Sequence, residues 1–170
     1  MSVAILIDGN NMYHAVKGIS GSDRGILDYD KAIPLLLNNR RLTKLIFFKE
    51  GNTMSDKFKN RLKKNFGGKC VSTEFSSDIY IVVDMLKACL LQRVDTIILM
   101  SGDGDYCPAV KFVQEIGCRV EVVSAKSSLS PKLKQMADQV YILDKNWISE
   151  LPEYNSHENE VPKVEPSNRC

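Results

Sequence analysis

Along this chain, short apolar runs alternate with longer segments in which apolar positions recur every three or four residues. The runs fall at Val3–Ile7, Lys44–Phe48, Cys70–Thr73, Ile97–Met100, Arg119–Val123 and Val140–Leu143. Runs so short and so little interrupted by polar residues predict strands covered on both faces of a parallel sheet. Helices are predicted between them, over Met12–Lys17, Lys31–Asn39, Asp56–Phe66, Ile79–Gln92, Tyr106–Ile116 and Pro131–Ala137. In the third of these, Phe58, Leu62 and Phe66 recur every four residues and form the buried stripe. The fourth is apolar almost all round, which predicts packing between the sheet and neighbouring elements. Gly18–Gly25 reads as a flexible loop, and Asn146–Leu151 as a terminal turn containing Trp147. Strict alternation of strand and helix predicts an α/β fold, a mostly parallel sheet of five to six strands with helices on both faces.

At 170 residues, with 44% apolar and 26% charged, the chain suits one domain with a substantial core. The net charge of +2 conceals an asymmetry. Residues 150–170 hold five Glu against Lys163 and Arg169, leaving 21 bases against 16 acids in residues 1–149. A basic body suits an anionic partner. Residues 1–149 are therefore read as the domain and 150–170, rich in Pro, Glu, Asn and Ser, as a disordered acidic tail. The five cysteines show no Cys-x-x-Cys pairing, which predicts reduced thiols and no zinc site. The first apolar run ends at Asp8 without a basic flank, so neither a signal peptide nor a membrane span is expected. A cytoplasmic protein is the expectation.

The chemistry concentrates where strands end. Val3–Ile7 stops at Asp8-Gly9-Asn10-Asn11, and Ile97–Met100 stops at Ser101-Gly102-Asp103-Gly104-Asp105. Ligand sites in open α/β sheets lie at the carboxyl ends of strands. If the two strands are adjacent and parallel, Asp8, Asp103 and Asp105 converge, and crowded carboxylates repel unless a cation holds them. Oxygen-only ligand sets select hard cations, Mg²⁺ or Mn²⁺. Asp78, at the start of the long apolar helix, also reads as a cap or first-turn acid, and Asp84 as part of a polar seam with Tyr80 and Lys87. The helix from Asp56 carries Lys57, Lys59, Arg61, Lys63 and Lys64, either a solvated face or a phosphate-binding one. Lys126 sits in a Ser-bearing loop at a strand end, where a phosphate contact is also expected. No Walker A or dinucleotide fingerprint occurs. His14, with no second histidine or cysteine nearby, is read as structural.

Four ordered motifs resemble the NYN domain, the LabA-like branch of the PIN-like nucleases. They are Ile7-Asp8-Gly-Asn-Asn11, Asp78-Ile-Tyr-Ile-Val-Val-Asp84, Ser101-Gly-Asp-Gly-Asp-Tyr106 and Gly117-Cys-Arg-Val-Glu-Val122. The resemblance implies a PIN-like three-layer sandwich and a metal-dependent ribonuclease. By position it implies Asp8, Asp78, Asp103 and Asp105 as metal-binding catalytic acids, Asp84 as a further metal candidate, and Asn11 and Ser101 as positioning residues. Lys57, Arg61, Lys64 and Lys126 would hold RNA, expected to be single-stranded; a homodimer is left open. Where many family members have Lys-Gly-Val-Asp, this chain has Phe75-Ser-Ser-Asp78 and so brings no lysine. Two alternatives stand beside it. One is a catalytically silent RNA-binding or scaffold module. The other is a haloacid-dehalogenase-like phosphatase, which needs an acid two residues after its nucleophilic Asp, where this chain has Asn10.

Overall fold

The computed structural model describes residues 1–151. Six strands form the central sheet: β1 (Ser2–Asp8), β3 (Arg41–Glu50), β4 (Lys69–Thr73), β5 (Thr96–Met100), β6 (Arg119–Ser124) and β7 (Gln139–Ile142). Their order is β4-β3-β1-β5-β6-β7, and every neighbouring pair is parallel. β1 and β5 therefore lie side by side, with Ile7 opposite Met100, so Asp8 and Ser101 leave the sheet together.

Alternation along β1 divides the core. Val3, Ile5 and Ile7 face one layer; Ala4 and Leu6 face the other. The first layer holds α1 (Gly9–Ser20), α2 (Tyr29–Leu37) and α3 (Asp56–Phe66), which contribute Met12, Ile33 and Leu62 among others. The second holds α4 (Asp78–Leu90), α5 (Cys107–Glu115) and α6 (Pro131–Met136), with Ile81, Met85, Val110 and Leu133. The result is the expected three-layer sandwich, both sheet faces covered by helices.

Two features depart from the sequence reading. The segment read as a loop after Lys17 is instead the last turn of α1, closed by Gly21 at φ 66°, followed by β2 (Gly25–Leu27). β2 pairs antiparallel with β8 (Ile148–Glu150), placing Glu150 opposite Gly25. Each strand is three residues long and its partner lies far along the chain, so neither leaves a local pattern. The rest of the acidic tail, residues 152–170, lies outside the described residues.

α4 also differs. Only Ile81, Met85 and Ala88 are buried, whereas Ile79 is 73% exposed and Val83 and Leu90 are open to solvent. α4 is an outer-layer helix with one side on β1 and β3 and another on α5, so its third side faces outward. Among the described residues no helix is long and apolar enough to cross a membrane.

Candidate functional site

Asp8 ends β1 and caps α1. Its Oδ1 accepts from the Asn11 N–H at 3.0 Å, satisfying one of the free amides that a helix start leaves. The next residue must be glycine for a steric reason, because a Cβ there would fall 2.5 Å from the Phe47 ring and 2.6 Å from the Phe48 carbonyl oxygen. Gly102 is constrained alike: its Cβ would meet Ser124 Oγ and the Ser128 carbonyl oxygen at 2.3 Å. In these motifs, then, close approach between neighbouring strand-end loops sets the residue, and neither glycine has a positive φ.

The Asp8 carboxylate turns toward the α4 and α5 layer and is 4% exposed. Its Oδ2 accepts from Ser101 Oγ at 3.3 Å and from the Tyr106 hydroxyl at 3.1 Å. The same hydroxyl lies 2.8 Å from Asp78 Oδ1. Ser76 Oγ donates to the other Asp78 oxygen at 2.8 Å. Asp78 is the first residue of α4, after Ser77, whose side chain makes no capping bond. The acid faces Tyr106 across the site instead of serving only its own helix.

A phenol has one proton to donate, and here two carboxylates compete for it. Burial pushes the Asp8 carboxyl above its ordinary range; the Asn11 amide and the Tyr106 hydroxyl pull it down, and the charge of Asp78 pushes it further up. Burial, followed by the charge of Asp8, drives the Tyr106 phenol strongly upward, so it stays protonated. Neither carboxylate has an ion-pair partner among the described residues. Two such acids on one phenol fit a cation, and Mg²⁺ in particular is held by one or two carboxylates while keeping several waters.

Asn11 and Ser101 act as braces. Asn11 Oδ1 accepts from the Gly102 N–H at 3.0 Å, tying α1 to the loop after β5. Ser101 Oγ donates to Asp8 and accepts from the Asp103 N–H at 3.3 Å. Asp103 is half-buried, and its Oδ1 accepts from the Asp105 N–H at 2.9 Å, capping the short turn Gly104–Tyr106. Asp105 is exposed and borders a shallow depression beside Val82, Leu86 and Phe112. Among the described residues, no group of three or more His, Cys, Asp or Glu is arranged to hold a metal ion. Asp8 and Asp78 are brought together; Asp103 is joined to them only through Ser101.

Asp84 forms an ion pair with Lys44 at 2.8 Å, away from the strand ends. Arg61 is bound to Asp30, which also accepts from Asn65 at 2.9 Å. Lys57, Lys64 and Lys126 are exposed and have no ion-pair partner among the described residues. His14 is exposed on α1, with its ring edge-on to Tyr13.

Sequence reasoning missed two site residues. Tyr106, fully buried, reads locally only as a helix entry. Glu50 ends β3, where its carboxylate accepts from the Ser77 N–H at 3.4 Å and its own N–H donates to Asn10 Oδ1 at 3.3 Å. The signal for Glu50 was present, an acid followed by Gly51 at the end of an apolar run, as at Asp8.

Comparison with known proteins gives this geometry a context. A chain from Vibrio parahaemolyticus, a protein of unknown function with a crystal structure, superposes with a TM-score of 0.75 at 19% identity, covering 87% of this chain and 96% of its own. The low amplitude and bright protein LabA of Synechococcus elongatus is 28% identical over 152 residues, 81% of each chain. An uncharacterised protein of Sinorhizobium fredii is 34% identical over 71 residues, which is 40% of this chain and 33% of that protein. The family model of the NYN domain matches residues 2–144, with the Asp8, Asp78 and Asp103 motifs all inside the match. The chain belongs to the NYN domain family.

Proposed function

We propose that this protein is a metal-dependent ribonuclease that hydrolyses phosphodiester bonds of single-stranded RNA. The observation that carries the reading is the Asp8 and Asp78 pair, two carboxylates on one phenolic proton at the carboxyl edge of the sheet. Membership of a family within the PIN-like nucleases supports it.

In this reading Asp8 and Asp78 would hold a Mg²⁺ or Mn²⁺ ion, with Asp103 and Asp105 on the loop that follows β5. The chemistry supplied by such an ion, when bound, would be a more acidic water and charge neutralisation at the phosphodiester. The chain's own residues do the positioning. Ser101 and Asn11 fix Asp8 and the loop after β5 relative to each other. Tyr106 keeps the two carboxylates together by donating to either one, and burial of Asp8 strengthens its attraction for a cation. Lys57, Lys64 and Lys126 supply exposed positive charge for the phosphate backbone.

A catalytically silent RNA-binding module is the second reading. It is favoured by the lack, among the described residues, of three or more acids arranged to hold a metal ion.

Labelled single-stranded RNA incubated with Mn²⁺ or Mg²⁺, with EDTA, and with the Asp8→Asn and Asp103→Asn variants tests both. Metal-dependent cleavage lost in EDTA and in Asp8→Asn supports the nuclease. RNA binding that survives EDTA, with no cleavage under any condition, replaces it with the silent module.

A further inference from the structure

The opposite face of the sheet carries a second concavity at the same carboxyl edge. α1, β2, the start of α2, the end of β3 and α3 enclose a cavity of about 430 Å³. Pockets that take small organic ligands span about 300–1,000 Å³. The rings of Tyr29, Phe47 and Phe58 form one wall. Phe47 and Phe58 have centroids 4.9 Å apart, and Tyr29 lies 5.8 Å from each.

The charged groups around this cavity divide into those already engaged and one that is not. Asp23 is paired with Lys17, and Asp30 with Arg61. Asp28 caps α2 and accepts from Ser149 Oγ at 3.0 Å. Lys49 lines the same cavity, and its ammonium has no ion-pair or hydrogen-bond partner among the described residues. The Tyr29 hydroxyl also lacks a hydrogen-bond partner among them. Burial pushes the Tyr29 phenol up, so it stays a neutral donor. An aromatic wall with one free ammonium and one free hydroxyl complements a flat aromatic ligand carrying an anionic group.

The cavity's position narrows the ligand further. Gly9, which directly follows Asp8, lines it, and Lys49 directly follows Phe48, the β3 partner of Asp8. The Asp8 carboxylate serves one face of the sheet, and this cavity opens on the other, across the end of β1.

We propose that this cavity is a nucleotide-binding subsite, with the base against the Tyr29, Phe47 and Phe58 wall and a phosphate at Lys49. The ligand is either a free mononucleotide or an unpaired residue of an RNA strand, and the second source rests on the ribonuclease reading. Bases pack on aromatic rings with little sequence preference, because every base presents a π face.

The test is calorimetric titration of the full chain in EDTA, which withholds the divalent ion that the ribonuclease reading requires. The probes are uridine monophosphate, adenosine monophosphate, ribose 5-phosphate and a short oligouridylate. At least one base-bearing probe binds, and ribose 5-phosphate binds at least about tenfold more weakly. Lys49→Gln and Tyr29→Phe each weaken the base-bearing probe about three- to tenfold, the size expected for one lost polar contact. Thr53→Trp, from an exposed loop that borders the cavity, blocks it. Circular dichroism and melting of each variant verify folding. Binding by mononucleotide alone assigns a free nucleotide; at least tenfold tighter binding by the oligomer assigns RNA. Equal binding of ribose 5-phosphate, unchanged affinity in all three folded variants, or no binding by any probe overturns the proposal. Cleavage measured separately keeps the two readings apart: RNA cut normally without nucleotide binding sinks the subsite alone, and nucleotide binding without cleavage sinks the nuclease alone.

Discussion

The Tyr106 hydroxyl donates to Asp78 at 2.8 Å from a side chain that is itself fully buried. The tyrosine's phenol also reaches Asp8, so a single proton serves two acids brought together from the ends of β1 and α4. Removing that proton leaves both carboxylates without it. Tyr106→Phe is therefore expected to lose about 1–3 kcal/mol of stability in EDTA. Added Mn²⁺ is expected to raise the melting temperature of the variant more than that of the parent. Thermal melts with and without metal measure both, and identical metal shifts in the two proteins count against a cation at this pair.

Asp8 stands in the opposite balance. Burial opposes its charge more than its hydrogen bonds favour it, so Asp8→Asn removes a charge that the fold holds at a disadvantage. The expected result in EDTA is a melting temperature equal to or above the parent's, together with a loss of cleavage of about 100-fold or more. A variant that is both inactive and much less stable assigns Asp8 a mainly structural role.

Lys44 and Asp84 form a half-buried ion pair between β3 and α4. Asp84→Ala leaves the lysine without its partner and is expected to destabilise by about 1–3 kcal/mol while leaving cleavage per folded molecule unchanged. Urea denaturation alongside the RNA assay separates the two effects. A fall in cleavage without a fall in stability returns Asp84 to the metal site.

A buried network on the sheet predicts acid sensitivity. Burial raises the Glu121 carboxyl, but bonds from Arg40 at 2.8 and 2.9 Å and from Arg119 at 3.1 Å outweigh it and hold the group below its ordinary value of 4.5. A depressed folded-state value means that the contribution is present above pH 4.5 and is lost as the pH falls through the lower, folded value. Denaturation curves from pH 7 to pH 3 are expected to show this loss, and Glu121→Gln is expected to flatten it.

Lys57 and Lys64 are exposed residues of α3, like Arg61, but have no ion-pair partner to lose among the described residues. The double variant Lys57→Gln, Lys64→Gln is expected to weaken RNA binding and to lower the slope of log affinity against log salt by about one to two. Arg61→Gln is expected to act chiefly on stability, since it frees Asp30. Binding measured at several salt concentrations distinguishes the lysines from the arginine.

Much of the architecture is written locally. An apolar run too short for a helix and bounded by polar turns specifies a strand, and Ser55 or Asp28 before a periodic segment specifies a helix start. The side chains of both residues cap their helices. Those signals led to one sheet of five to six strands and to Asp8 and Asp103 at its carboxyl edge. A parallel sheet forces chain reversal at each strand end, so acids and glycines concentrated there mark the edge before any contact is known.

What the amino-acid sequence determined by itself was therefore the set of elements, their alternation and the edge on which chemistry would fall. Only the tertiary structure decided which acids meet. Asp78 joins Asp8 because Tyr106 stands between them, Asp84 is taken by Lys44, and Asp105 is exposed beside Val82 and Leu86 of α4. It also decided that β2 and β8 pair and that one side of α4 stays open. The physical reason is the same each time. A strand or a cap is fixed by neighbours within a few residues, whereas a carboxylate's partner depends on strand order, register and helix rotation, which only the packing of the whole chain sets.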